Sequence, residues 1–205
     1  MARQCKGWSA THFDLAMKIL KYVVCTKDRG IKWSAGLDPF GVNAIYATGD
    51  TDLAGCTETR KSMGGRVARM NNGPISFNAS LQPVVHVSTT GAELQQAAVT
   101  ALDVVGLRNL LGEIGFLQSK PTIVYCDNQP AIQIAHNEGS MSAKSKHLDI
   151  RIFKIRELIK SKQIMLNYIR TQRNLADIFT KALPPQQFIF LRDQLCGYAV
   201  FAPED

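Results

Sequence analysis

The sequence lacks the features that mark membrane proteins, secreted proteins and proteins held together by disulfides or zinc. No run of apolar residues approaches the ~18 that a membrane-spanning helix needs. The initial stretch, MARQCKGWSATHFD, contains no apolar signal core, so we expect an intracellular chain. The five cysteines are scattered without zinc-ligand or redox spacing, which indicates reduced thiols. What remains is a globular composition, with 45% apolar and 20% charged residues.

The net charge of +7 is concentrated in one segment. Between Met141 and Arg173, nine Lys and Arg stand against two acids, which accounts for the whole excess. A localised basic stripe favours a polyanion partner, nucleic acid before a membrane, and we expect no membrane partner. The alternative is a solvated helix face and, for His147, a surface position at a helix start. The residues that we expect to bind nucleic acid are Lys144, Lys146, His147, Arg151, Arg170 and Arg173.

The front of the chain is predicted to be an appendage to a larger domain. Residues 11–25 carry an apolar stripe with helical period, and a linker with glycine, proline and one short strand follows. The pattern predicts an N-terminal helix and linker over 1–40, a main domain over 41–184, and a C-terminal helix and tail over 185–205.

The main domain is predicted to have an α/β fold. Three short stretches with strand alternation, at 42–50, 65–71 and 73–80, are joined by short turns and indicate an antiparallel meander. Helical and strand patterns then alternate, with strands at 121–127 and 163–169 and helices at 89–115, 128–137, 147–161, 174–183 and 185–197. We therefore expect a five-stranded mixed sheet, with three antiparallel and two parallel strands and helices on both faces.

Four acids stand at the ends of predicted strands or the starts of predicted helices, and each has an ordinary structural explanation. Asp127 precedes a helix and fits a helix cap. Asp177, near the start of the helix predicted over 174–183, complements the helix dipole. Asp50 closes the first strand, where turn chemistry competes. Glu93 also lies near a helix start, where an acid complements the helix dipole. Against this, the residues on its face of the helix are small or apolar, and a buried carboxylate there is costly.

Taken together, the four acids point to a metal centre. If the first and fourth strands are neighbours in the sheet, all four carboxylates meet at one edge. Four anions repel one another, and hard divalent cations with oxygen ligands relieve that repulsion. Two such ions about 3.5–4 Å apart support phosphodiester hydrolysis by water. The residues predicted to bind them are Asp50, Glu93, Asp127 and Asp177.

The order of these acids, on three antiparallel strands followed by alternating helices and strands, resembles ribonuclease H. The phrases GDTDLAG, TRKSMGG, GPISFNASLQPVVHVSTTGAEL, YCDNQPAI, KHLDIRIFKIRE and NLADIFTKALPPQQF are similar to the ribonuclease H region of copia-type retrotransposon polyproteins. KILKYVVCTKDRGI is similar to the segment that joins reverse transcriptase to that region. The resemblance covers nearly the whole chain.

The resemblance implies a function for these acids. It assigns Asp50, Glu93, Asp127 and Asp177 as the catalytic residues and as the ligands of two Mg²⁺, with Mn²⁺ as a possible substitute. The implied reaction is cleavage of the RNA strand of an RNA–DNA hybrid during reverse transcription. The implied partners are that hybrid and the reverse transcriptase of the same polyprotein, in a cytoplasmic retrotransposon particle or in the nucleus.

The chain departs from the family pattern at several positions. Leu53 replaces a usual Trp, Gly91 a usual Glu and Gly49 a usual Ser, and the loop before Asp177 lacks the His of cellular ribonucleases H. One alternative is therefore a catalytically silent nucleic-acid-binding module, from a decayed or repurposed element. A second alternative, an integrase or transposase, is disfavoured because those enzymes place a Glu last, on a late helix, whereas the last acid here is Asp177.

Overall fold

The computed structural model describes residues 9–56, 58–137 and 146–203, with side chains from residue 150 in the last range. The chain divides into two compact units, Met1–Ile31 and Lys32–Asp205. The first unit contains helix α1 (Ala10–Cys25), none of whose residues is buried. The predicted assignment of 1–40 and 185–205 as segments flanking a ribonuclease H-like domain stays a prediction. Within the described ranges, no helix is long and apolar enough to cross a membrane.

The second unit is built on one five-stranded sheet. Its strands are β1 (Ile45–Asp52), β2 (Met63–Met70), β3 (Gly73–Leu81), β4 (Thr122–Cys126) and β5 (Ile164–Tyr168). They lie in the order β3-β2-β1-β4-β5. The first three strands are antiparallel neighbours, β4 runs parallel to β1, and β5 runs parallel to β4. The predicted mixed sheet of three antiparallel and two parallel strands is therefore confirmed.

Five helices accompany the sheet in the described part of the second unit: α2 (Thr89–Glu113), α3 (Gln129–His136), α4 (Lys146–Lys160), α5 (Asp177–Thr180) and α6 (Pro185–Leu195). Single 3-10 turns occupy Ala35–Leu37 and Thr171–Arg173. The helix predicted over 174–183 is wrong in length, since only the single turn of α5 forms. Asn174 is extended at the end of a 3-10 turn, and the prolines after Leu183 disfavour helix at the preceding residues.

The two faces of the sheet bury different cores. On one face, β-strand residues such as Ala47 and Val124 pack against α2, α3 and α4. The small residues Ala97 and Ala101 of α2 belong to this core and allow the helix to lie close to the sheet. On the other face, an aromatic core contains the residues Tyr46, Val67, Tyr125, Ile169, Leu175, Leu191 and Phe201. Helices therefore cover both faces, as predicted.

The hairpin between β2 and β3 has the two-residue turn that its sequence indicates. Asn71 and Asn72 both have positive φ, of 52° and 60°, which the type I′ turn requires and which Asn tolerates. Residues that precede the sheet in the chain hold this turn. The backbone N–H of Asn72 donates to Oδ2 of Asp38 at 2.6 Å. Ser34 N–H also donates to the carbonyl of Asn71 at 2.7 Å. Residues that follow Lys32 thus pack against the sheet rather than lying outside it.

Candidate metal centre

Three of the four predicted acids meet at the edge of the sheet that is formed by the carboxyl ends of the neighbouring strands β1 and β4. Asp50 lies on β1, Asp127 directly follows β4, and Asp177 is the first residue of α5. One carboxylate oxygen of each lies within 4.8 Å of the others. The strands β1 and β4 are parallel neighbours, with Thr48 opposite Tyr125, so Asp50 and Asp127 extend the same register by two residues. The strand adjacency on which the metal prediction depended is therefore present.

Glu93 reaches the same edge from the opposite face of the sheet. Its carboxylate, the thiol of Cys126 and the carboxylate of Asp127 also lie within 4.8 Å of one another. Oε1 of Glu93 accepts a hydrogen bond from the backbone N–H of Thr51, at 3.0 Å, and Oε2 lies 3.9 Å from the Cys126 thiol. Glu93 is 6% exposed, as its small and apolar helix face predicted. The structure thus brings all four predicted acids together.

Other residues cap the helices beside Asp127 and Glu93, whereas Asp177 lies in the first turn of α5, the position predicted to complement the helix dipole. The cap of α3 is Asn128, whose Oδ1 accepts from the N–H of Ala131 at 2.9 Å, so Asp127 does not cap the helix. The cap of α2 is Ser88, whose hydroxyl accepts from the N–H of Gly91 at 3.1 Å. Neither Asp127 nor Glu93 is needed to satisfy a helix end.

Two glycines allow the elements that carry the acids to approach the sheet. A Cβ at Gly65, which lies opposite Asp50 on β2, would stand 2.8 Å from side-chain carbons of Phe179 and Thr180. A Cβ at Gly49 would stand 2.8 Å from the Thr100 hydroxyl on α2. Side chains at these positions would push α5 or α2 away from β1. Gly49, a departure from the family pattern, therefore fits the close packing of this α2.

Burial and mutual repulsion disfavour the charged forms of these carboxylates. Burial, together with the nearby charges of Asp50 and Asp127, raises the pKa of Glu93 to about 9. Burial and the charge of Asp50 raise the pKa of Asp177 to about 7. Burial also raises the pKa of Asp127, against the hydrogen bond from Thr171. A bound cation would therefore favour the ionised form of this cluster near neutral pH.

Three further side chains contact the acids and were missed by the sequence analysis. Thr171 Oγ1 donates to Asp127 Oδ2 at 2.7 Å, and the Thr180 hydroxyl donates to Asp50 Oδ2. Lys181 Nζ lies 3.0 Å from Oδ2 of Asp177. The i,i+4 spacing of Asp177 and Lys181 was a usable sequence signal. For the two threonines the sequence offers none, because their partners are distant along the chain.

The residues predicted to bind nucleic acid are placed unevenly. Lys144 lies outside the described residues, and Lys146 and His147 lie in α4 where side chains are not described. Arg151 is half-buried on α4. Their predicted role stays a prediction.

Two predicted nucleic-acid-binding residues lie before and at the end of the 3-10 turn that carries Thr171. Arg170 is exposed and directly precedes Thr171, whose hydroxyl donates to Asp127. Arg173 is half-buried, and its Nη1 donates to the carbonyl of Ala202 at 2.8 Å. The guanidinium of Arg173 therefore supports the C-terminal segment in addition to any predicted contact with phosphate.

The donor set fits divalent magnesium or manganese. Carboxylate oxygens are the ligands that these hard cations take. Asp177 is only 3% exposed, and its buried Oδ1 accepts no hydrogen bond from any described residue. An unsatisfied buried carboxylate oxygen beside two further carboxylates is the arrangement that a cation satisfies.

Known proteins with sequences similar to this chain include Pol polyproteins of transposons. No family model matches. The chain is 34% identical over 177 residues to the "Retrovirus-related Pol polyprotein from transposon TNT 1-94" of Nicotiana tabacum, covering 86% of this chain and 13% of that protein. It is 30% identical over 172 residues to the "Retrovirus-related Pol polyprotein from transposon RE2" of Arabidopsis thaliana, covering 84% of this chain and 12% of that protein. The chain thus spans about an eighth of the length of these relatives.

Among solved structures, LC11-RNase H1, isolated from compost by a metagenomic approach, is similar with a TM-score of 0.50. The match has 14% identity and covers 68% of this chain and 94% of that protein, which at this identity shows the fold alone. The predicted family and fold are confirmed. The chain belongs, as a segment with a ribonuclease H-like fold, to the retrovirus-related Pol polyproteins of transposons.

Proposed function

We propose that this chain is a metal-dependent endonuclease that hydrolyses the RNA strand of RNA–DNA hybrids during reverse transcription of a retrotransposon. The observation that carries the proposal is the convergence of Asp50, Asp127 and Asp177, with ligand atoms within 4.8 Å of one another, and of Glu93 beside Asp127. These acids come from four separate places in the fold, and Asn128 rather than Asp127 caps α3.

The four acids would hold two Mg²⁺, or Mn²⁺ in their place. Bound ions of this kind lower the pKa of an attacking water and neutralise the charge that develops on the leaving oxygen. The protein orients the carboxylates with neutral donors: the Thr51 N–H for Glu93, the Thr171 hydroxyl for Asp127 and the Thr180 hydroxyl for Asp50. Such outer contacts fix the ligand oxygens in position before an ion arrives.

The hybrid would bind across the edge of the sheet that carries the acids. Arg170, exposed directly before Thr171, and Arg151 on α4 would contact phosphates, together with the predicted residues Lys144, Lys146, His147 and Arg173. The 2′-hydroxyls would distinguish the RNA strand from DNA. The homologous Pol polyproteins support a reverse transcriptase portion as the neighbour in the same polyprotein. The proposed compartment is a cytoplasmic retrotransposon particle or the nucleus.

The test is a cleavage assay with a labelled RNA–DNA hybrid in Mg²⁺ and in EDTA. Wild type is expected to cut the RNA strand only with the metal. Asp127→Asn is expected to abolish cutting while hybrid binding stays nearly intact, because one ligand is lost and the basic surface is unchanged. Asp52→Asn, two residues from Asp50 but outside the cluster, is the matched control and should cut normally.

The two ways in which this proposal fails are distinct. Hybrid binding by wild type without cleavage in Mg²⁺ would identify a catalytically silent binding module. Cleavage by Asp127→Asn at near the wild-type rate would show that the acid cluster is not the catalytic centre.

A further inference from the structure

One cation reaches into the acidic cluster from the chain itself. Nζ of Lys181 lies 3.0 Å from Oδ2 of Asp177 and 3.8 Å from Oδ2 of Asp50. Throughout the part of the chain that the structure describes, these are the ion pairs that the four acids make with lysine or arginine. Among the described residues, Lys181 therefore supplies the positive charge that the protein itself brings to the acidic cluster.

The lysine reaches the cluster from the surface. The side chains of Asp50 and Asp177 are 3% and 4% exposed, whereas that of Lys181 is 35% exposed. The backbone at Lys181 is extended, with φ −141° and ψ 160°, because α5 has ended at Thr180. A long, flexible side chain anchored on an extended residue can withdraw into solvent without unwinding the helix that carries Asp177.

The position of Lys181 conflicts with that of a divalent ion. The ammonium contacts the two carboxylates, Asp50 and Asp177, that together with Asp127 form the candidate metal site. A divalent cation bound to those carboxylates would stand within a few ångströms of a positive charge and be repelled by it. The Lys181 ammonium and the metal therefore compete for the same anionic site.

We propose that Lys181 is a tethered cation that holds Asp50 and Asp177 together in the metal-free chain and competes with the divalent metal for them. The inference rests on the proposed metal site and assigns Lys181 as a positioning residue. It predicts that Lys181 lowers the affinity of the site for metal while stabilising the chain without metal. A lysine that only supported the fold would change stability and leave metal affinity alone.

The test is calorimetric titration of the full chain with Mn²⁺ alone, without nucleic acid, and thermal unfolding in EDTA. Lys181→Met removes the charge and keeps an unbranched side chain. We expect this variant to bind Mn²⁺ about three- to thirtyfold more tightly and to unfold a few degrees lower in EDTA. Lys181→Arg keeps the charge and should stay within about twofold of the wild-type affinity. Lys181→Gln provides a second neutral variant should Lys181→Met not fold.

The matched control is Lys160→Met, which makes the same charge change at an exposed lysine at the end of α4. Its Mn²⁺ affinity should equal that of wild type. Unchanged or weaker Mn²⁺ binding by the neutral Lys181 variants, or unchanged or higher stability in EDTA, overturns the inference and leaves the proposed nuclease standing. Absence of Mn²⁺ binding by wild type overturns both.

Discussion

The two ends of β1 bury charge in different ways. Tyr46, near the start of the strand, and Asp50, near its end, are four residues apart and so lie on the same face of the sheet. Beside Tyr46, on the neighbouring strand, lies Arg69, which is 0% exposed. Beside Asp50 lie the other members of the acidic cluster. One strand therefore connects a buried cation with a buried group of anions.

One nitrogen of the buried arginine, Nη2, is held by permanent partners of the fold, whereas Nε and Nη1 have no hydrogen-bond partner among the described residues. Nη2 of Arg69 donates to the carbonyl of Gln194 at 2.6 Å and to that of Asn72. The guanidinium also lies 5.5 Å from the rings of Tyr46 and Phe201. Burial lowers the pKa of Arg69, while Tyr46 and Asp38 oppose that shift. This end of β1 attaches the C-terminal segment to the sheet and has a structural role.

The acidic end of β1 has no such permanent compensation. Its carboxylates receive neutral donors and one partly exposed lysine, and the pKa values of Glu93 and Asp177 remain raised. A buried charge whose partners belong to the core stabilises one structure. Buried anions that outnumber their cationic partners form a site for an added cation. The following predictions separate these two roles.

The largest expected effect is that of Asp50→Asn on cleavage. Loss of a metal ligand should lower the rate of hybrid cleavage at least about 10³-fold, a barrier increase of ~4 kcal/mol. The same change removes one of several crowded anions, so the free energy of unfolding in EDTA should rise by about 1 kcal/mol. Gel assays and urea titration measure the two effects. A variant that is both active and less stable would contradict the comparison.

Arg69→Met should lower stability and leave cleavage nearly unchanged, the opposite of Asp50→Asn. Removing the guanidinium leaves the buried carbonyl of Asn72 without this donor and that of Gln194 with the N–H of Gly197 alone, so the free energy of unfolding should fall by about 2–4 kcal/mol. Cleavage per folded molecule should stay close to wild type. Lys160→Met, at an exposed site, controls for the loss of a positive charge and should change stability by less than about 0.5 kcal/mol. Normal stability of Arg69→Met would show that this end of β1 is not held by the arginine.

Thr171→Val tests the neutral donors of the acidic end. Without the hydroxyl, Asp127 loses the contact that orients Oδ2, and we expect about a tenfold loss of cleavage and a weaker Mn²⁺ affinity. Thr171→Ser keeps the hydroxyl and should restore both. Equal activity of the valine and serine variants would remove Thr171 from the site.

The smallest expected effect is the pH dependence of stability in EDTA. Glu93 has an ordinary pKa of 4.5 that is raised to about 9 in the fold, and Asp177 one of 3.8 that is raised to about 7. A raised pKa favours the protonated folded form, so this stability is complete below the ordinary values and is lost as pH rises towards the folded values. We expect the free energy of unfolding in EDTA to fall between about pH 5 and pH 9.

Magnesium should remove this pH dependence, because a bound cation compensates the ionised carboxylates. The increment in unfolding temperature on adding Mg²⁺ should therefore grow with pH. Glu93→Gln should flatten the profile in EDTA. An increment that is the same at both ends of the pH range would show that these carboxylates do not bind the ion.

The elements were predictable where local pattern and long-range packing agree. Alternation in IYATGDTD and the apolar run TIVYC indicate strands because the same residues are buried in the sheet. The length of α5 was only partly predictable. The prolines after Leu183 indicate where the helix must end, whereas its late start depends on Asn174, whose side-chain amide donates to the carbonyl of Gly49, 125 residues away. The buried Arg69 was likewise missed, since a strand arginine ordinarily indicates a solvent-facing position.

By itself the sequence determined the strand and helix types, their order and the identity of four acids, because these depend on periodicity and residue chemistry along the chain. Only the tertiary structure decided which donors surround the acids, that Lys181 shares the site, and that the C-terminal segment packs beside Arg69. These contacts join residues far apart in the chain, such as Thr180 with Asp50 and Gln194 with Arg69. Their geometry is set by the packing of α5 and α6 on the sheet, which no local pattern encodes.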